Sequence, residues 1–164
     1  MKKNISRILA ISTPASLNIA SLLLSIDLMI ILFGVFMRYI VGGAPIWTDE
    51  LARFLIIGGV MLAAGAVWVE GGHMRIDIIE KLLKSRLRKI LIIYQWVLTI
   101  IIAIGAAIFS YRYAMSVSMF STQGLGISRT IPMLSLPVGF ALLAFHALLQ
   151  GPQIIDVKKD KVQP

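Results

Sequence analysis

The stretch that decides the fold is residues 90–111, ILIIYQWVLTIIIAIGAAIFSY, which contains no charged side chain. A transmembrane α-helix needs about 20 predominantly apolar residues to cross the hydrocarbon of a bilayer. Three more stretches of the chain are predominantly apolar over a similar length. The four predicted membrane spans are residues 14–39, 51–69, 90–112 and 132–150. The sequence therefore predicts an all-α integral membrane protein.

The composition agrees with this fold class. Hydrophobic residues make up 58% of the 164 residues and charged residues 15%, and the mean hydropathy is +0.87, well above what a soluble domain needs for its core. We assign residues 1–155 to one membrane domain and residues 156–164 to a polar cytoplasmic tail. The chain has no cysteine, which excludes disulfides, thiolate metal sites and iron–sulfur clusters.

The basic residues predict the orientation in the membrane. They cluster at Lys2, Lys3 and Arg7, at Arg75, Lys81, Lys84, Arg86, Arg88 and Lys89, and at Lys158, Lys159 and Lys161. The other two connections contain only Arg38 and Arg53, or Arg112 and Arg129. The positive-inside rule then places both termini and the middle connection in the cytoplasm. We assign the net charge of +8 to this asymmetry and expect no nucleic acid as a partner.

The middle connection has a pattern of its own. Its apolar residues recur at helical spacing at Ile76, Ile79, Leu83, Leu87 and Ile90. We predict an interfacial amphipathic helix over residues 74–88. Its membrane-surface residues would be Lys81, Lys84, Arg86, Arg88 and Lys89, among phospholipid headgroups. A solvated connecting helix is the alternative.

Polar groups inside the spans are few. Asp27 lies midway along the first span, where a bare carboxylate is unfavourable, so it should face protein, have a partner or be protonated. A relay for ions or protons and a polar contact with a neighbouring helix or subunit both remain open. A contact with His146 is possible but not required. No nucleophile with a base and an orienting group is present, so we expect neither an enzyme nor a bound cofactor.

Three short segments have distinctive local chemistry. Thr13 and Pro14 are typical of a helix start. Residues 47–53, WTDELAR, combine an aromatic anchor, acids in a first helical turn and an arginine one turn after Glu50. Residues 72–77, GHMRID, follow a glycine break that turns the chain towards the predicted surface helix.

The last two segments, with Arg38 and Tyr39, RTIP at 129–132 and PVG at 137–139, resemble the small membrane subunit of tripartite ATP-independent periplasmic (TRAP) transporters, the DctQ-like family. The resemblance covers most of residues 30–140. It implies a bacterial inner-membrane protein that supports a large membrane subunit, which holds the sodium and substrate sites. A periplasmic binding protein would deliver small organic anions such as C4-dicarboxylates or sialic acid.

The resemblance also implies roles for individual residues. Subunit contacts or structural roles are expected for Asp27, Arg38, Trp47, Asp49, Glu50, Arg53, His73, Arg75 and Asp77. The competing readings are a self-sufficient four-helix transporter coupled through Asp27, the membrane anchor of an oxidoreductase, and the small membrane component of another tripartite carrier. A haem-bearing anchor is disfavoured because His73 lies outside the spans.

Overall fold

The computed structural model describes residues 2–70 and 85–152. Its helices are α1 (Lys2–Phe36, continued by a π-helical turn over Met37–Val41), α2 (Ile46–Val69), α3 (Ser85–Ser116), α4 (Thr130–Met133) and α5 (Ser135–Gln150). Within these ranges the only β-pairing is an isolated bridge between Ser121 and Ser128. Four segments are long and apolar enough to cross a membrane: Ile5–Val41, Ile46–Val69, Arg86–Ser116 and Thr130–Gln150. The predicted all-α membrane fold with four spans is confirmed.

The start of the first helix differs from the sequence prediction. Thr13 and Pro14 do not begin α1, which starts at Lys2 and contains Pro14 in its interior. A proline inside a helix removes one backbone hydrogen bond. Pro14 is exposed on its helix while Thr13 and Ser16 are buried, so α1 keeps its packing on this side. Prolines are tolerated inside transmembrane helices because neighbouring helices, hydroxyl side chains and local helix adjustments can satisfy the freed carbonyl.

The four spans pack as a row in the order α1, α2, α5, α3, and α1 also makes a smaller contact with α5. The interior of this row is formed by α2 and α5, which approach each other closely. A Cβ atom at Gly139 of α5 would overlap Met61 of α2, lying 2.8 Å from its carbonyl oxygen. On the other side of α2, a Cβ atom at Gly59 would lie 3.4 Å from the carbonyl oxygen of Ala20. Small residues therefore set the spacing on both sides of α2.

Connections 42–45 and 117–129 lie at one end of the row, which we call the outer end, following the predicted orientation; the opposite end is the inner end. Three hydrogen bonds join the helices near the inner end. The hydroxyl of Ser12 lies 2.9 Å from Nε2 of His146. The indole of Trp96 donates to the carbonyl of Ala147 at 2.7 Å, and the amide of Gln150 donates to the carbonyl of Val69 at 2.9 Å. Helix α5 thus makes a polar contact with each of the other three spans.

We expect Gly139→Ala to destabilise the protein, because the added methyl group would force α2 and α5 apart. Overpacking of this kind typically costs about 1–3 kcal/mol. Thermal unfolding of the purified protein in detergent measures the effect. Gly105→Ala is the matched control, since a Cβ atom there meets nothing within 4 Å. Equal melting temperatures for the two variants would contradict the packing described for α2 and α5.

Candidate functional site

The candidate site is the outer end of the row, where α2 begins. The residue before the helix, Pro45, has an extended backbone with φ −62° and ψ 137°. The side chain of Thr48 donates to the Pro45 carbonyl at 2.7 Å and is 2% exposed. The ring of Pro45 and the hydrogen bond from Thr48 together fix the backbone conformation at the start of α2. The side chains of Asp49 and Glu50 therefore start from a rigid backbone.

Glu50 joins α2 to the connection between α3 and α4. Its Oε1 accepts the backbone N–H of Gln123 at 3.0 Å, and its Oε2 accepts those of Gly124 at 2.9 Å and Leu125 at 3.1 Å. Three successive amides that converge on one carboxylate form an anion-binding concavity, and such bonds to an ionised acceptor are stronger than bonds between neutral groups. We call Glu50, Trp47 and residues 123–125 the outer clamp.

Gly124 is required for this geometry. A Cβ atom at position 124 would lie 2.7 Å from both the backbone nitrogen and the Cα atom of Trp47. The backbone of the connection therefore packs directly on the first turn of α2, which brings its amides within reach of Glu50. Any larger residue at position 124 would separate the two segments.

The connection also has internal hydrogen bonds that keep it compact. The N–H of Thr122 donates to the carbonyl of Ile127 at 2.8 Å, and the N–H of Ile127 donates to the hydroxyl of Thr122 at 3.2 Å. The N–H of Arg129 donates to the carbonyl of Phe120 at 2.9 Å. Gly126 has a φ of 67°, a left-handed conformation that suits glycine. The outer connection is thus an ordered turn.

The acidic and basic residues of the WTDELAR segment have different partners. Asp49 accepts from Arg38 of the π-helical turn at 3.4 Å, and both side chains are more than half exposed. Arg53 is exposed. Within residues 2–70 and 85–152, Arg53 forms no ion pair with Glu50. The arginine one turn after Glu50 therefore does not pair with it, because the carboxylate of Glu50 is directed to the connection at 123–125.

Asp27 and His146 occupy separate sites. Asp27 is 4% exposed, and its Oδ1 is buried with no hydrogen-bond partner among the described residues. His146 is fully buried and bonds to Ser12, which lies about 22 Å further along α1 from Asp27 at 1.5 Å per residue. The direct contact that the sequence left open is therefore absent. Within the described ranges, no three His, Cys, Asp or Glu side chains form a metal site.

Several predicted site residues lie outside the described residues. They are His73, Arg75, Asp77, Lys81 and Lys84, with most of the predicted interfacial helix 74–88. Residues 85–88 belong to the first turn of α3, which therefore begins earlier than the predicted third span. Arg86 and Lys89 are exposed at the start of α3, and Arg88 is half-buried.

Sequence reasoning missed two partners. It singled out Glu50 but not the amides at 123–125 that bind it, although the two glycines at 124 and 126 indicate a turn with an unusual backbone. It also missed the contact between Ser12 and His146, for which the sequence has no local signal.

Comparison with known proteins agrees with this architecture. Residues 27–153 match the family described as tripartite ATP-independent periplasmic transporters, DctQ component. The chain belongs to this family. The resemblance inferred from the motifs is confirmed, and the matched region includes the whole outer clamp.

A curated relative of the DctQ-family chain is the sialic acid TRAP transporter small permease protein SiaQ of Vibrio cholerae serotype O1. The two are 27% identical over 112 residues, which is 68% of this chain. The aligned region spans 64% of the relative, slightly less than two thirds of its length.

We expect Glu50→Gln to loosen the outer connection, because a neutral amide loses the charge that strengthens the three hydrogen bonds. Backbone amide exchange at residues 123–125 should become several-fold faster, measured by hydrogen–deuterium exchange with mass spectrometry in detergent. Asp49→Asn is the matched control, since its exposed ion pair should contribute little. Unchanged exchange in Glu50→Gln would show that the clamp does not hold this connection.

Proposed function

We propose that this chain is the small, non-enzymatic membrane subunit of a sodium-coupled TRAP transporter, and that it supports a larger transport subunit. The observation that carries the proposal is the outer clamp, which holds the connection at 117–129 and the first turn of α2 as one fixed surface. A scaffold needs such fixed surfaces, whereas a transport pathway needs polar groups that converge within the membrane. Among the described residues, the buried polar groups of the spans do not converge on one site. Asp27 and His146, for example, lie far apart along the helix axes.

The substrate class follows from the family and the relative. Family membership and similarity to a sialic acid system support small organic anions, such as sialic acid or C4-dicarboxylates. On this proposal, the sodium and substrate sites belong to the large subunit and a periplasmic binding protein delivers the anion. The small subunit then needs no cofactor or metal of its own.

The outer connection is the proposed platform for the binding protein. Met119 is 96% exposed near the start of this connection, and Phe120 is exposed beside it. The guanidinium of Arg129 lies 6.0 Å from the centre of the Phe120 ring, which holds that ring in place. An exposed apolar pair beside an ordered turn is suited to protein contact, since little conformational entropy is lost when a partner docks.

The proposed location is the bacterial inner membrane, with both termini in the cytoplasm. The asymmetry of lysine and arginine residues supports this orientation. Arg86 and Lys89, exposed at the start of α3, would then contact phospholipid headgroups at the inner surface. The exposed apolar faces of α1 and α3 would contact lipid or the large subunit.

Affinity purification in mild detergent, followed by mass spectrometry, tests the assembly. We expect a membrane protein with many more spans to copurify with this chain. In proteoliposomes, sodium-driven uptake of an organic anion should require that partner and the binding protein. Uptake by this chain alone would contradict the proposal.

Within the assembled transporter, Glu50→Gln should reduce uptake because it loosens the platform, while Asp49→Asn should behave like the unaltered protein. The amount of copurified large subunit shows whether the Glu50 variant still assembles. Unchanged uptake for Glu50→Gln at equal assembly would remove the outer clamp from the proposed function.

The burial of Asp27 within the first span favours a self-sufficient transporter, because a buried intramembrane carboxylate is a common ion-coupling group. Our proposal assigns it a packing role. We therefore expect Asp27→Asn, which has the same shape, to retain both assembly and sodium-dependent uptake. Loss of the sodium dependence at normal assembly would instead support ion coupling by this chain.

A further inference from the structure

An apolar groove runs along α1 near the outer end of the row. It has a volume of about 440 Å³ and is lined by Ser25, Ile26, Met29, Ile30 and Phe33 of α1 and by Trp47 of α2. Phe33 and Trp47 stack with their ring centres 6.1 Å apart and close its outer end. We propose that this groove binds one acyl chain of a zwitterionic phospholipid from the leaflet at the outer end.

The groove offers its occupant no hydrogen-bonding group. Its one hydroxyl, that of Ser25, donates to the carbonyl of Ser21 on the same helix at 2.8 Å. A side chain bonded in this way leaves the lining effectively apolar. A peptide or a sugar would lose hydrogen bonds to water on binding there, whereas a hydrocarbon chain would lose none.

The dimensions fit one leaflet. From Ser25 to Phe33 the helix rises about 12 Å, close to the roughly 15 Å of hydrocarbon in half a bilayer. Trp47 at the outer end occupies the level at which tryptophan is enriched in membrane proteins, the boundary between hydrocarbon and headgroups. An acyl chain in the groove would therefore run from the headgroup boundary towards the bilayer centre.

The lining favours lipid over a helix of another protein. Helices that associate in membranes usually meet through small residues, as α2 and α5 do at Gly139. The groove is instead walled by Met29, Phe33 and Trp47, and two of these are aromatic. Bulky side chains around a shallow, open groove can contact a flexible acyl chain, whereas they keep the backbone of another helix at a distance.

A pair of oppositely charged side chains beyond the groove indicates which type of phospholipid headgroup would bind there. Arg38 and Asp49 are carried by the same two helices and line a smaller cavity of about 170 Å³ that shares Ile30 with the groove. Both side chains are largely exposed and their charges are opposite. A zwitterionic headgroup matches this pattern, since its phosphate would face Arg38 and its ammonium would face Asp49. Phosphatidylethanolamine has this chemistry.

Native mass spectrometry of the full chain, with any copurifying partner, tests retention. The protein is incubated with equal amounts of phosphatidylethanolamine and phosphatidylglycerol and then washed in detergent. We expect one retained phosphatidylethanolamine per chain. Ser25→Phe, which fills the groove, should lower its occupancy by roughly tenfold, or about 1.4 kcal/mol. Ile101→Phe on the exposed face of α3 is the matched control. Equal retention in the two variants, or a preference for phosphatidylglycerol, would overturn the proposal.

A second measurement does not depend on how the filled variant folds. Met29 is replaced by the photoreactive amino acid p-benzoylphenylalanine, and the control carries it at Ile101. Irradiation should attach phospholipid at position 29 at a clearly higher yield than at position 101. Attachment of a polypeptide at position 29, or equal lipid yields at the two positions, would show that the groove is covered by a partner or only by exchanging bilayer lipid. Either result would overturn the proposal.

Discussion

In the hydrocarbon of a membrane, every backbone N–H and C=O group needs a partner within the protein, and the rest of this structure depends on that constraint. It requires each of the four spans to be helical and confines irregular backbone to the ends of the helices. It also explains the behaviour of the hydroxyl groups, since Ser21, Ser25 and Ser110 donate to carbonyls of their own helices. A few polar side chains instead bond between helices, as Ser12 and His146 do.

At the outer end, beyond the membrane spans, a charge holds the backbone of a connection. Three amides at 123–125 lie outside any helix, and Glu50 accepts all of them. Because the acceptor belongs to α2, satisfying the connection also fixes it to the row of helices. The interaction that completes the hydrogen bonding of the backbone is thus the one that shapes the outer surface, which relates the fold directly to the proposed platform.

Some of this could be predicted from residues alone. The spans and the family were, because long apolar runs and the WTDELAR and GHMRID segments are local signals. The start of α1 was not, since Thr13 and Pro14 express only a local preference for a helix start, and α1 instead begins at Lys2 with Pro14 in its interior. The spacing of Glu50 and Arg53 also did not indicate the partner of the carboxylate, because Glu50 binds the distant backbone at 123–125.

The sequence by itself determined that the chain crosses the membrane four times, because hydrophobic length is a property of each segment alone. Only the tertiary structure decided which groups meet. Glu50 and Gln123 are 73 positions apart, and Ser12 and His146 are 134 apart. Whether such residues touch depends on the order and rotation of packed helices, which the glycines of α2 and α5 set through close contacts that no single segment encodes.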